Sequence, residues 1–258
     1  MDENYPPILV DATPDDLLAI LRDMHRQQCA FDGAADDRII LSRTSTIADW
    51  RQACDLIGWR GLAEAFNDIW AIDIPLDRWR AVLEPAKSHK LGEVCDLLSG
   101  YVKVPGVRPA RLLGRECVPA GIFLTVRSCL ASAGADVSDI APSTPLAEYA
   151  RRYAAVFLGP VSQLAPGKLP TVKISTPDYD ACALICMLAF IGIVVGNCID
   201  LPLLTVGAVL VAMVAYLGLW IAARCTLPAS VDFEGLVTFR DLCKALAAGA
   251  RTVTYKKG

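Results

Sequence analysis

The chain has 258 residues, of which 54% are apolar and 21% charged, with a formal net charge of −3, a pI near 5.4 and a mean hydropathy of +0.40. The acidic balance excludes the basic footprint of a nucleic-acid-binding protein, and so apolar a composition excludes disorder throughout. Ten cysteines, spread from Cys29 to Cys243 without paired spacing, read as reduced thiols rather than as a disulfide framework.

The acidic opening MDENYPP has no apolar run behind it, so no signal peptide is expected. Thr13, Pro14 and Asp16 then predict a capped helix carrying Leu17, Leu18, Leu21 and Met24 on one stripe and ending near Cys29. After the polar stretch FDGAADDR comes an apolar strip, Ile39 to Leu41. Thr46 to Asp49 resembles a capping box for a second helix through Trp50, Leu56, Leu62, Phe66 and Trp70, weakened in its middle by Gly58 and Gly61. The segment Ile72 to Pro75 ends that helix. A short helix follows around Trp79 to Leu83, and a final one covers Leu91 to Tyr101. Lys103, Arg108, Arg111 and Arg115 make the next segment basic, as Lys256 and Lys257 do the end of the chain; such charges are solvated or held at an anionic lipid surface.

Ala181 to Ile199 and Leu201 to Ala223 contain no ionised side chain over nineteen and twenty-three residues. Each is long enough for a hydrocarbon core of about 30 Å, so a transmembrane helical hairpin is expected, with Asp200 and Pro202 in its turn. Lys168, Lys173 and Arg224 flank the spans and the turn carries no basic residue, which places both termini in the cytoplasm. The spans lack the acidic, basic and histidine residues that line proton or ion paths, so a self-contained transporter is not expected. Gly192 and Gly196 form GxxxG, with Ala208 and Ala212 as a second small pair. The pattern serves packing between the two arms, the commoner use, or a homodimer. Cys182 and Cys186 share a helix face but lack further ligands for zinc.

The chain also repeats itself. Thr44 to Trp50 (TSTIADW) reappears as Ser143 to Tyr149 (STPLAEY), and Leu91 to Gly100 as Phe239 to Ala248, with Cys95 opposite Cys243. Two copies of one helical unit are expected, over about 10–101 and 117–249, with the apolar hairpin inserted before the last helix of the second.

Trp70-Ala71-Ile72-Asp73-Ile74-Pro75 and Lys90-Leu91-Gly92-Glu93-Val94 give the first copy a resemblance to the acyl carrier protein family over about 80 residues. In that family a serine in Asp-Ser-Leu carries phosphopantetheine. Counting back from Ile74-Pro75 puts Asp55-Leu56-Ile57 on that motif, and Leu56 has no hydroxyl. In the second copy Thr144-Pro145 reads as an N-cap and N1 pair, next to Ser143, and Ser162 lies in an unrelated context. The resemblance therefore implies small carrier-like helical bundles without the prosthetic group.

Sought motifs of catalysis are missing: there is no HExxH, GxSxG or GxGxxG, and Gly167-Lys168-Leu169 lacks the hydroxyl of a phosphate loop. His25 and His89 have no sequence partner for a triad, and Cys95 and Cys243 fit buried thiols better than nucleophiles. No catalytic, cofactor or metal residue is expected. The expected fold class is all-α: carrier-like cytoplasmic helical bundles plus a two-helix transmembrane hairpin. The domains are 1–101 (first unit), 102–116 (basic linker), 117–180 and 224–258 (second unit), and 181–223 (hairpin). The expected role is non-catalytic docking at the inner face of the cytoplasmic membrane, with lipid and a protein as partners and no nucleic acid. The alternatives are a membrane-bound acyl- or lipid-handling protein or enzyme with an apolar pocket in the helical bundle, which intact-mass analysis separates, and a small subunit of a larger membrane complex.

Overall fold

The computed structural model describes residues 5–253 apart from 33, 57, 113–114, 176, 200 and 226–229. In chain order it contains β1 (Ile8–Asp11), α1 (Pro14–Cys29), α2 (Ile47–Ala53), α3 (Trp59–Trp70), α4 (Leu76–Leu83), α5 (Leu91–Ser99), β2 (Lys103–Gly106), β3 (Ala110–Leu112), β4 (Arg115–Cys117), α6 (Val118–Ser132), α7 (Ala147–Arg152), α8 (Ala154–Val156), β5 (Val172–Ser175), α9 (Pro177–Cys198), α10 (Pro202–Cys225), β6 (Ser230–Phe233) and α11 (Phe239–Ala247). The chain divides into two compact units, Met1–Lys173 with Asp232–Gly258, and Ile174–Val231.

The all-α expectation is corrected by three two-stranded sheets, β1–β2, β3–β4 and β5–β6. β1 pairs antiparallel with β2, Val10 opposite Val104, and β3 pairs antiparallel with β4, Arg111 opposite Glu116. These strands have only three or four residues, too few for an alternating pattern to show, and β1 meets its partner only across the whole first helical unit.

The transmembrane expectation is corrected as well. The two uncharged stretches fall in α9 and α10, but among the described residues no helix is long and apolar enough to cross a membrane. A span needs about 20 consecutive apolar residues. Asp178 and Asp180 stand in the first turn of α9. The membrane anchor, the inner-membrane location and the cytoplasmic orientation of the termini fall with it. Asp200, Lys256 and Lys257 lie outside the described residues, as does the side chain of Arg224. Within this second unit α9 and α10 lie against each other: a Cβ on Gly192 would be 3.2 Å from the Ala208 Cβ, and one on Gly196 would be 3.0 Å from the Thr205 nitrogen. The GxxxG face is thus turned to the other arm of the same hairpin.

In the first unit, local signals set the helix starts. Thr13 and Asp16 cap α1 reciprocally, the Asp16 carboxylate accepting from the Thr13 N–H at 2.9 Å and the Thr13 hydroxyl from the Asp16 N–H at 3.2 Å. Thr46 with Asp49 does the same for α2, and Thr238 with Asp241 for α11. The expected second helix is two. α2 stops at Ala53, the chain turns through Asp55 at φ 45°, and α3 starts after Gly58. The core of the first copy gathers Trp50, Phe66, Trp70 and Trp79 around one ring, with Phe66 at 5.8, 5.0 and 5.7 Å from the other three. Asn67 serves that core twice, accepting from the Trp79 indole at 3.1 Å and donating to the Ile74 carbonyl at 3.0 Å.

The two copies share a backbone lock. In the first, the Ile47 N–H donates to His89 O (3.0 Å), Leu91 N–H to Ser45 O (2.9 Å) and Gly92 N–H to Arg43 O (3.0 Å). In the second, Leu146 N–H donates to Val237 O (3.0 Å), Phe239 N–H to Thr144 O (3.2 Å) and Arg240 N–H to Pro142 O (2.8 Å). The two sets match at one offset in the turn segment (Arg43, Ser45 and Ile47 with Pro142, Thr144 and Leu146) and at a second in the helix-start segment (His89, Leu91 and Gly92 with Val237, Phe239 and Arg240). Isolated bridges repeat it, Thr46 with Lys90 and Pro145 with Thr238, both antiparallel. The turn before each lock is also the same: the Ser42 N–H donates to the Ser45 hydroxyl and the Ala141 N–H to the Thr144 hydroxyl, both at 2.9 Å. Thr144 is therefore a turn residue, and α7 begins later, at Ala147. In each copy the last helix packs on the first long one, α5 on α1 and α11 on α6.

Both copies belong to one compact unit. Gln27 of α1 is buried against the second copy, its Oε1 accepting from the Val172 N–H at 2.9 Å and its Nε2 donating to the Pro170 carbonyl at 3.1 Å. Arg251 reaches Asp16 at the start of α1.

Candidate functional site

A cleft of about 500 Å³ lies along α1, between that helix and the apolar strip that follows it. Its position follows from the sequence. α1 ends at Cys29, the polar stretch turns the chain back, and Ile39, Ile40 and Leu41 return along the helix. Leu41 is buried in the core, whereas Ile40 is 83% exposed and faces the opening. The Arg22 Nε donates to the Leu41 carbonyl at 2.6 Å and ties strip to helix.

Arg22, His25, Arg26 and Cys29 line the helix side of the cleft at helical spacing, and Asp37 and Thr171 close it on other sides. His25 is only 7% exposed, and its Nε2 is buried without a hydrogen-bond partner. An orphaned polar atom of this kind is uncommon in a folded chain and costs about 1–3 kcal/mol. Arg26 is engaged otherwise, its guanidinium holding the buried Asp23 carboxylate at 2.6 Å and the Leu169 carbonyl. Burial, reinforced by the Asp37 and Asp36 carboxylates, pushes the Cys29 thiol up, so it is a poor source of thiolate.

The other residues singled out in the sequence stand apart from this cleft. His89 Nδ1 lies 2.6 Å from the Glu93 carboxylate, whose other oxygen accepts from the Lys90 N–H at 2.9 Å. Cys95 and Cys243 are buried in equivalent helices, and burial pushes their thiols up to about 11 and about 12. Leu56, which the sequence expectation set on a carrier attachment position, is half-buried against the core of the first unit, and Ile57 lies outside the described residues. Ser162 is buried and donates to the Leu158 and Gly159 carbonyls at 2.8 and 3.0 Å. Cys182 lies against α10, where a Cβ on Gly218 would be 3.1 Å from its sulfur, and Cys186 is 3.9 Å from the Ala212 carbonyl oxygen. Among the described residues no group of three His, Cys, Asp or Glu side chains converges as a metal centre requires.

His25 was visible in the sequence only as a histidine on an amphipathic helix. The missing signal is tertiary: which atoms come within reach of Nε2 depends on how Ile39 to Leu41 folds back. Comparison with known protein families, with curated proteins and with solved structures gives no match for this chain.

Proposed function

We propose that the protein is a non-catalytic docking protein built from two copies of one carrier-like helical unit. The observation that carries this reading is the duplicated backbone lock, which joins the turn before α2 to the start of α5 and the turn before α7 to the start of α11 with the same bonds. A small bundle duplicated this closely offers two related recognition surfaces. The carrier-like pattern supports the same role, since a carrier unit with Leu56 at the attachment position keeps its surface and loses its arm. The thiols at equivalent places, Cys95 and Cys243, are buried and raised, which suits packing rather than nucleophilic attack.

The test is native electrophoresis together with intact-mass analysis of the chain isolated from its source. The expected result is an unmodified chain in a stoichiometric complex with a second polypeptide. A covalent phosphopantetheine arm, or a chain migrating alone under all mild conditions, overturns the proposal.

A further inference from the structure

We infer that the cleft along α1 is a binding site for a small monocarboxylate with an apolar body. This goes beyond the docking role and does not depend on it. The cleft volume of about 500 Å³ lies within the usual range of small-molecule sites, about 300–1,000 Å³. Its walls divide into two chemistries, as such a ligand requires: Ile39, Ile40 and Leu41 present the apolar side, and Arg22, His25 and Arg26 the polar one.

Three features select the head group. First, His25 lines the cleft and its Nε2 is buried without a partner within the protein, so a turn of the ring that brings Nε2 to a ligand oxygen would satisfy an atom the fold leaves unpaired. Second, among the described residues Arg22 uses only its Nε, on Leu41, leaving its two terminal nitrogens for a forked pair of bonds with a carboxylate. Third, the charge available is small. Arg26 is balanced by Asp23, and Asp37 adds a negative charge at the edge of the cleft. Arg22 is thus the one cleft cation without a carboxylate ion pair among the described residues, and the rim carboxylate of Asp37 opposes further negative charge, which suits a single negative charge and disfavours a dianion. Cys29 beside them stays protonated, so the binding is non-covalent.

Apolar body and anionic head are both required, and they can be removed separately. The experiment is calorimetric titration of the full chain with octanoate, and in parallel with acetate, octanol and octyl phosphate. Saturable octanoate binding is expected, with acetate and octanol each weaker by about tenfold or more and octyl phosphate weaker than octanoate. Ile40→Asp changes a side chain that is 83% exposed, so the fold is kept while a second negative charge enters the mouth of the cleft. This variant and His25→Phe should each lower octanoate affinity by about tenfold. Adsorption to the exposed apolar side chains of α9 and α10 would be untouched by either change. Octanoate binding equal to that of octanol, or unaltered in Ile40→Asp and His25→Phe, overturns the proposal, whatever the outcome for a protein partner.

Discussion

Gly121 in α6 rests directly on the main chain of Arg108: a Cβ at position 121 would run into the Arg108 carbonyl, 3.0 Å from its carbon, and come 3.1 Å from the Pro109 Cα. All three atoms it would meet are backbone, so no rotamer change can relieve the contact. Gly121→Ala should therefore cost about 1–3 kcal/mol, by chemical denaturation. Gly58→Ala, where a Cβ meets nothing within 4 Å, should change stability by no more than about 0.5 kcal/mol.

The three capping boxes tie stability to acidity. The Thr46 and Thr238 bonds hold the Asp49 and Asp241 carboxyls below their ordinary value. Burial raises Asp16, but its bonds to Thr13 and the Arg251 charge outweigh this and leave it lowered too. A carboxyl with a depressed folded value contributes fully above its unfolded value, about 4, and the contribution is lost as pH falls through the folded value beneath it. Urea midpoints should thus drop between pH 6 and pH 3, and the drop should shrink when Thr13, Thr46 and Thr238 are all changed to Val. Thr13→Ala alone should cost about 1 kcal/mol near neutral pH.

Thiol chemistry should follow burial. Cys54 and Cys243 are pushed up to about 12 and Cys95 and Cys129 to about 11, each by burial, whereas Cys198 is exposed. Iodoacetamide at pH 8, read by peptide mass, should label Cys198 first and reach Cys54, Cys95 and Cys243 only after denaturant is added. Labelling of Cys243 as fast as Cys198 would contradict the burial of α11.

The equivalence of the copies predicts equivalent costs. Ile47 and Leu146 open the same lock and are 0% and 1% exposed. Truncation of either to Ala should cost about 2–5 kcal/mol. A near-neutral Leu146→Ala would contradict the burial of that side chain in the second copy.

What could be read in advance was local. The Thr13–Asp16 and Thr46–Asp49 boxes need only three residues of separation, and both close as their spacing predicts. The matching stretches Thr44 to Trp50 and Ser143 to Tyr149 stand out in the sequence for a related reason: the repeated backbone bonds use turn and helix-start residues, whose types are constrained by hydrogen bonding. The sheets were not, because Ile8 to Asp11 carries no strand signal until Val104 lies beside Val10. The basic segment with Arg111 and Arg115 gave no hint of the β3–β4 ribbon for the same reason. Absence of charge in residues 181–199 and 201–223 told composition, and the membrane placement drawn from it did not hold. The cleft was illegible because no pattern along α1 reveals that His25 Nε2 ends without a partner.

The pairing of β5 with β6 has a consequence for how this chain tolerates change. The chain leaves the second copy through β5 and returns through its neighbour β6, between the early helices of that copy and its closing helix α11. The stretch between the two strands is therefore an interruption in sequence only: Phe239 still meets Thr144, and Leu146 still meets Val237. A change in the length of that stretch leaves the same residues to make those bonds, so the second copy tolerates insertion at a point where the first, continuous from Arg43 to Gly92, has none.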